Sequence, residues 1–169
     1  MKNMNKRYTP ERITSLAENE IFVFGSNLAG AHGGGAARLA YERFGAVWGE
    51  GVGLHGQTYA IPTMQGGVET IKPYVDAFIL FAKENPTLTF LVTRIGCGIA
   101  GFRDKEIAPL FKDAIDAENI ILPQEFAKLL NDGTKEDSFC LERFVKAQEQ
   151  MYAVALKEIE QGQKWSHWI

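Results

Sequence analysis

Two glycine-rich stretches hold the residues whose types and spacing suit chemistry. The first reads Ser26-Asn27-Leu28-Ala29-Gly30-Ala31-His32-Gly33-Gly34-Gly35 and follows an apolar run over 21–24. The second reads Gly96-Cys97-Gly98-Ile99-Ala100-Gly101 and follows the apolar run 88–93 by way of Arg94. Glycine lets the backbone turn sharply and approach a ligand with no side chain in the way. A helix start adds unpaired N–H groups and the positive end of the helix dipole, a natural anion site. Gly33-Gly34-Gly35 runs straight into the helical pattern Ala36-Ala37-Arg38-Leu39. The two loops are therefore expected to face each other across one phosphate-bearing ligand.

Single residues around these loops carry alternatives. His32 suits a general base or a phosphate partner, and equally a surface-loop histidine. Glu50 is the only acid in the stretch 45–57 and suits polarising a water or a ribose hydroxyl. His55, in the same stretch, reads as structural or solvent-facing. Asn27 is either a turn former or a ligand contact. Arg94 suits a phosphate or a salt bridge at the sheet end. Cys97, near a helix start, has the setting for a lowered thiol pKa, but a nucleophile needs a partnered base and none is evident. A small buried residue is the stronger reading of it. No His/Cys pair has metal-ligand spacing, so neither a zinc site nor a cofactor is expected.

The elements that must position these residues follow from the pattern of the chain. Thr9-Pro10-Glu11-Arg12 predicts a short helix over 10–18. A strand covers 21–24. A helix over 33–44 buries Ala36, Ala37, Leu39, Ala40 and Phe44 and ends at Gly45. The stretch 47–57 is too glycine-rich for a regular element. A strand over 58–61 and a helix over 68–84 follow, with Pro73 in the helix's first turn and Asn85-Pro86 as its stop. A strand covers 88–93, a helix capped by Asp104 runs to 117, a strand covers 119–122 and a helix 123–130. Strands alternating with helices imply βαβ units, a mainly parallel sheet with helices on both faces, and right-handed crossovers. In such sheets ligands bind beyond the carboxyl ends of the strands, where both glycine loops fall.

The chain has room for one medium domain and a small appendage at 169 residues, and its hydrophobic fraction of 46% suffices for a core. Net charge is −3, which provides no basic footprint for nucleic acid. The basic start Met1-Lys2-Asn3-Met4-Asn5-Lys6-Arg7 leads into no apolar stretch, and no run reaches membrane-spanning length. Two cysteines, Cys97 and Cys140, make no disulfide framework. A cytoplasmic protein without membrane contact is expected. A domain over 1–130, a polar linker over 131–137 and an amphipathic helix over 138–161 complete the plan. The helix's apolar stripe calls for packing on the domain or homodimerisation.

The two loops with their strands, over residues 20–130, resemble the macrodomain family, which binds ADP-ribose. The residues are Phe24-Gly25-Ser26-Asn27 followed by Gly33-Gly34-Gly35-Ala36, and later Val92-Thr93-Arg94-Ile95-Gly96-Cys97-Gly98-Ile99-Ala100-Gly101-Phe102. The resemblance implies a three-layer α/β fold and a nucleotide-type partner. It implies that Asn27 contacts the distal ribose and that 33–35 approach that ribose and a phosphate. It also implies that 96–101 wrap the diphosphate and that Phe102 flanks a ribose. Hydrolysis of an ADP-ribosyl linkage, with His32 or Glu50 activating water, is one expectation. A binding or interaction module without turnover is the other. The Asp-Ile pair with which that family reads adenine does not precede Ile21. The patterns F-V-F-G-S-N-L-x-G-x-H-G-x-G-A-A, Y-A-I-P-T and I-G-C-G-x-A-G are more closely similar to a family of uncharacterised bacterial and phage proteins. Residues 138–169 are similar to the opening of a helical bacterial domain of unknown function.

Overall fold

Ile21, Phe22, Val23 and Phe24 are consecutive and all buried. A strand with four such residues in a row must be covered on both faces, and β1 (Glu20–Ser26) is accordingly the middle strand of the sheet. The structure, a computed structural model, is described over residues 7–132. It is a mixed α/β fold with a five-stranded, mostly parallel sheet in the order β2-β3-β1-β4-β5. β3 (Thr58–Pro62) and β4 (Thr89–Val92) flank β1 in parallel, and β5 (Ile120–Ile121) lies parallel beyond β4. β2 (Gly53–His55) pairs antiparallel with β3 at the other edge. Contacts divide the chain into two units, Met1–Leu130 and Asn131–Ile169. The expectations for the linker beyond 132, for the helix over 138–161 and for a dimer through it lie outside the described residues. No described helix is long and apolar enough to cross a membrane.

Alternation along the strands sorts the core into two clusters. Val23, Tyr59, Ile61, Phe90 and Val92 pack with Ile71, Val75, Phe78 and Ile79 of helix α2 (Val68–Glu84). Helix α3 (Asp104–Ile107, continued as a 3-10 helix over Ala108–Ala114) and helix α4 (124–132) add Ile107, Phe111 and Phe126 to that cluster. Phe22, Phe24, Ala60, Leu91 and Ile121 point the other way. They pack with Ala37, Ala40 and Phe44 of helix α1 (Gly35–Leu39, continued as a π-helix over Ala40–Phe44). The chain thus leaves β1 through α1 on one face towards β3. It leaves β4 through α3 on the opposite face towards β5. The two connections diverge, so a crevice opens between the carboxyl ends of β1 and β4.

Several expectations change. The helix over 10–18 is absent and the segment has no regular secondary structure before the turn at 18–19. Thr9 N–H donates to Leu122 O at 2.9 Å and its hydroxyl to Ile121 O at 3.0 Å, while Ile13 is buried in the α1-side core. These tertiary anchors outweigh the local helix-start signal. The stretch 47–57 holds one regular element, β2, with positive-φ glycines 49, 53 and 56 in and around it. The 33–44 helix starts two residues later than expected and widens to a π-helix, ending at Gly45 in the left-handed region (φ 91°) as expected. The 104–117 helix keeps one α turn and then tightens. Pro109 has no N–H for the α ladder, so the ladder breaks there. Asp104 is not the cap. Arg103 is, and its N–H donates to the Glu106 carboxylate at 2.8 Å.

One side chain ties together the edge of the sheet opposite the crevice. The Asn119 amide nitrogen lies 2.7 Å from Ala82 O, 3.2 Å from Asn85 O and 3.1 Å from Leu88 O. It thereby satisfies carbonyls at the end of α2 and in the turn into β4. Asn119→Ala leaves these part-buried carbonyls short of a donor. It is expected to cost about 1–3 kcal/mol, read as a lower urea midpoint at unchanged slope. A midpoint equal to the parent's would show that the amide contributes nothing.

Candidate functional site

The crevice is a cleft of about 230 Å³. Ser26, Asn27, Gly34 and Gly35 line it from the first loop, and Arg94, Gly96, Gly98, Ile99 and Ala100 from the second. The structure therefore brings the two glycine loops together across one space. It adds residues that sequence reasoning missed. Thr63 and Met64 come from the end of β3, and Thr93 from the end of β4. Parallel pairing of β3 with β1 was the signal available for Thr63, because parallel neighbours end on the same rim. Gly33, Cys97, Gly101, Phe102, His32 and Glu50 do not line the cleft.

The glycines divide by what the fold asks of them. Gly35 (φ 57°), Gly96 (φ 74°) and Gly101 (φ 80°) occupy the left-handed region that other residues resist. A Cβ on Gly96 would also sit 3.0 Å from Ile107 Cδ1. Gly33, Gly34 and Gly98 are different. Gly34 is extended (φ −155°, ψ 165°), and none of the three has a positive φ. A Cβ on Gly33 or Gly98 would meet nothing within 4 Å, and one on Gly34 only Ile99 Cδ1 at 3.4 Å. The fold would accept side chains at Gly34 and Gly98, yet both positions keep the cleft wall bare. No side chain caps α1, so its first amides stay free for another acceptor.

The first loop rests on residues 46–51. Gly49 N–H donates to Gly30 O at 2.9 Å, and the Ser26 hydroxyl donates to Gly51 O at 2.5 Å. His32 is 1% exposed, and its ring stands edge-on to Phe24 and Trp48. This is neither a surface-loop histidine nor a group facing the cleft. Its Nε2 is 3.0 Å from Val47 O, which can only accept, so Nε2 carries the hydrogen. Nδ1 is buried without a partner among the described residues. Asn27 accepts from Ala31 N–H at 2.9 Å and donates to Ala31 O at 3.0 Å, so both ends of its amide hold the loop. Glu50 is exposed, with Oε2 4.0 Å from His55 Nε2. His55 Nε2 lies 3.0 Å from Val52 O.

A second clasp holds the other loop. Arg94 grips Asp104 through two parallel bonds, Nε to Oδ1 at 2.9 Å and Nη2 to Oδ2 at 2.8 Å. The Arg94 bond holds the Asp104 carboxyl below the usual carboxylate range, and the same bond raises the guanidinium. Cys97 sits beneath. Burial first, then a bond to Asp104, push its thiol up to about 12. That is opposite to the lowered value that a helix start would give, and the thiol is protonated at neutral pH. Phe102 packs against the α2-side core, with its N–H on Gly96 O at 2.8 Å. No group of three or more His, Cys, Asp or Glu among the described residues could hold a metal ion.

A larger hollow of about 880 Å³ adjoins the cleft and shares Gly35, Ala36, Thr93 and Arg94 with it. The irregular segment 9–14 forms one wall, Leu39, Glu42 and Arg43 of α1 another, and Pro123 and Glu125 a third. Sequence reasoning assigned no site here. Residues 9–14 line the hollow as an irregular segment, and their sequence signals a helix.

Two measurements check this geometry. A Cβ on Gly51 would fall 1.9 Å from Asn27 O, a backbone atom that cannot swing aside. Gly51→Ala is expected to cost about 1–3 kcal/mol and lower Tm by several degrees, with Gly33→Ala unchanged. Equal Tm values would refute the close packing of loop and cradle. Alkylation of Cys97 at pH 8, followed by peptide mass mapping, is expected to run at least about tenfold slower than that of an unperturbed thiol. Asp104→Asn should speed it. A fast-reacting Cys97 would overturn the assignment.

Residues 138–169 match a family model described as a protein of unknown function (DUF1810). That match lies outside the described residues. No curated protein and no solved structure matches the chain.

Proposed function

We propose that the domain over 1–130 is a macrodomain-like, three-layer module that binds ADP-ribose or a related nucleoside diphosphate derivative. The observation that carries this reading is the pair of bare walls facing each other at the sheet's switch point. Gly34 and Gly98 lack side chains where the fold has room for them, and both line the cleft. A diphosphate there would take hydrogen bonds from backbone amides of the α1 start and of the second loop, which are fixed donors that need no reorganisation. The adjoining hollow would take the nucleoside end, passing over Gly35 and Ala36. The hollow, at about 880 Å³, is by itself of the size that small-molecule sites occupy.

Binding without turnover is the form of this reading that the cleft favours. Among the described residues Arg94 is the only titratable one in its lining, and its guanidinium is committed to Asp104. No carboxylate, imidazole or thiol of the described residues lines the cleft to activate water. His32 and Glu50 act on the loop and the solvent side, away from the cleft.

Isothermal calorimetry of the full chain with ADP-ribose tests the proposal. Saturable heat is expected, and Gly98→Val should weaken binding at least about tenfold while Tm stays within a few degrees of the parent. A folded protein that gives no heat at millimolar ADP-ribose would remove the reading. A Gly98→Val variant that binds as the parent does would move the ligand out of the cleft.

A further inference from the structure

The hollow beside the cleft has a charge pattern that a plain nucleoside does not use. Four arginines line it: Arg12, Arg38, Arg43 and Arg94. Arg38 is engaged by Glu42 at 2.9 Å and Arg94 by Asp104 at 2.8 Å. Arg12 and Arg43 have no carboxylate partner among the described residues. They come from two elements that the fold fixes independently. Ile13, buried in the core at 8% exposure, anchors the segment that carries Arg12. Arg43 stands on the π-helical half of α1, between the buried Ala40 and Phe44. A π-helix is a rare distortion that recurs at functional sites. Glu42 and Arg43 of this turn line one wall beside Leu39 of the preceding α turn. Glu11 and Glu125 line the same hollow and can accept from sugar hydroxyls or a base amine.

Donors for an anion and acceptors for hydroxyls or an amine describe a nucleoside that carries its own phosphate. From this we infer that the hollow selects a ligand whose nucleoside end bears an additional phosphate monoester, on the 2′ or 3′ oxygen, held by Arg12 and Arg43. The inference rests on the reading of the cleft as a nucleoside diphosphate site. It adds a third phosphate at the far end of the ligand. Arginine suits this role because its planar fork matches phosphate oxygens two at a time.

Calorimetry of the full chain with three ligands decides it: ADP-ribose, ADP-ribose 2′-phosphate and ADP-ribose 3′-phosphate. One phosphorylated form is expected to bind at least about tenfold more tightly than ADP-ribose. Which form gains identifies the oxygen. The gain should shrink as ionic strength rises. It should vanish in the double variant Arg12→Ala/Arg43→Ala, which is expected to bind all three ligands with equal affinity. Equal affinity for all three ligands would overturn the inference and leave the cleft reading intact. So would a gain that survives in the double variant. Binding of none of the three would remove the cleft reading, and this inference with it.

Discussion

The candidate site depends on a backbone contact so close that no side chain fits within it. Gly30 and Gly51 press the first loop against the 46–51 segment, where a Cβ on either would lie 2.3 Å or less from a backbone atom. Around that contact the Ser26 hydroxyl, the Gly49 amide and the His32 ring each bind across to the partner segment. The loop is thereby held as a surface. The start of α1 has a fixed direction because the chain before it cannot shift. Pre-positioning of this kind lets backbone amides serve as binding groups, since an amide that must be ordered first gives back much of what its hydrogen bond contributes.

This contact also explains where sequence reasoning worked and where it stopped. Periodicity and stop signals gave α2 with both ends in place, because its apolar face and Asn85-Pro86 are local facts. They located the strand cores at 21–24 and 58–61 for the same reason, and the burial of these residues agrees with the pattern. The pairing of the two glycine loops followed from parallel topology and survives in the lining of the cleft. The glycine-rich stretch 45–57 was opaque. Its role is to support a loop twenty residues earlier, and that role shows only as missing side chains. The helix signal at 10–18 failed because Thr9 and Ile13 bind distant partners, which no local rule weighs. The two acid–base candidates, His32 and Glu50, were chosen by residue type. Residue type says nothing about which side of the loop a side chain takes.

Consecutive glycines invite a single explanation, but these do not share one. Gly35 holds a backbone angle. Gly33 and Gly34 hold no angle that other residues avoid and meet no neighbour closer than 3.4 Å. The same division runs through the second loop, where Gly96 and Gly101 serve conformation and Gly98 does not. A glycine that the fold does not require still exacts its entropy cost in the unfolded chain. Its placement on the cleft wall is where an absent side chain changes the shape of a binding surface.

The division of labour along the crevice follows from where charge can be tolerated. At the cleft the side chains are small or neutral, and the one arginine is already bound to Asp104, so a ligand there is met by dipoles of the backbone. Such donors cost nothing in side-chain entropy and cannot be drawn away by solvent ions. The formal charges stand instead on the wider, more exposed hollow, on side chains that water already solvates and that lose little by being there. On the proposed reading, a narrow neutral throat beside a broad charged basin would hold one end of a ligand by shape and read the other by charge. Of the two ends, only the basin can change its discrimination by charge through a surface side chain, whereas a side chain at Gly34 or Gly98 would change the shape of the throat.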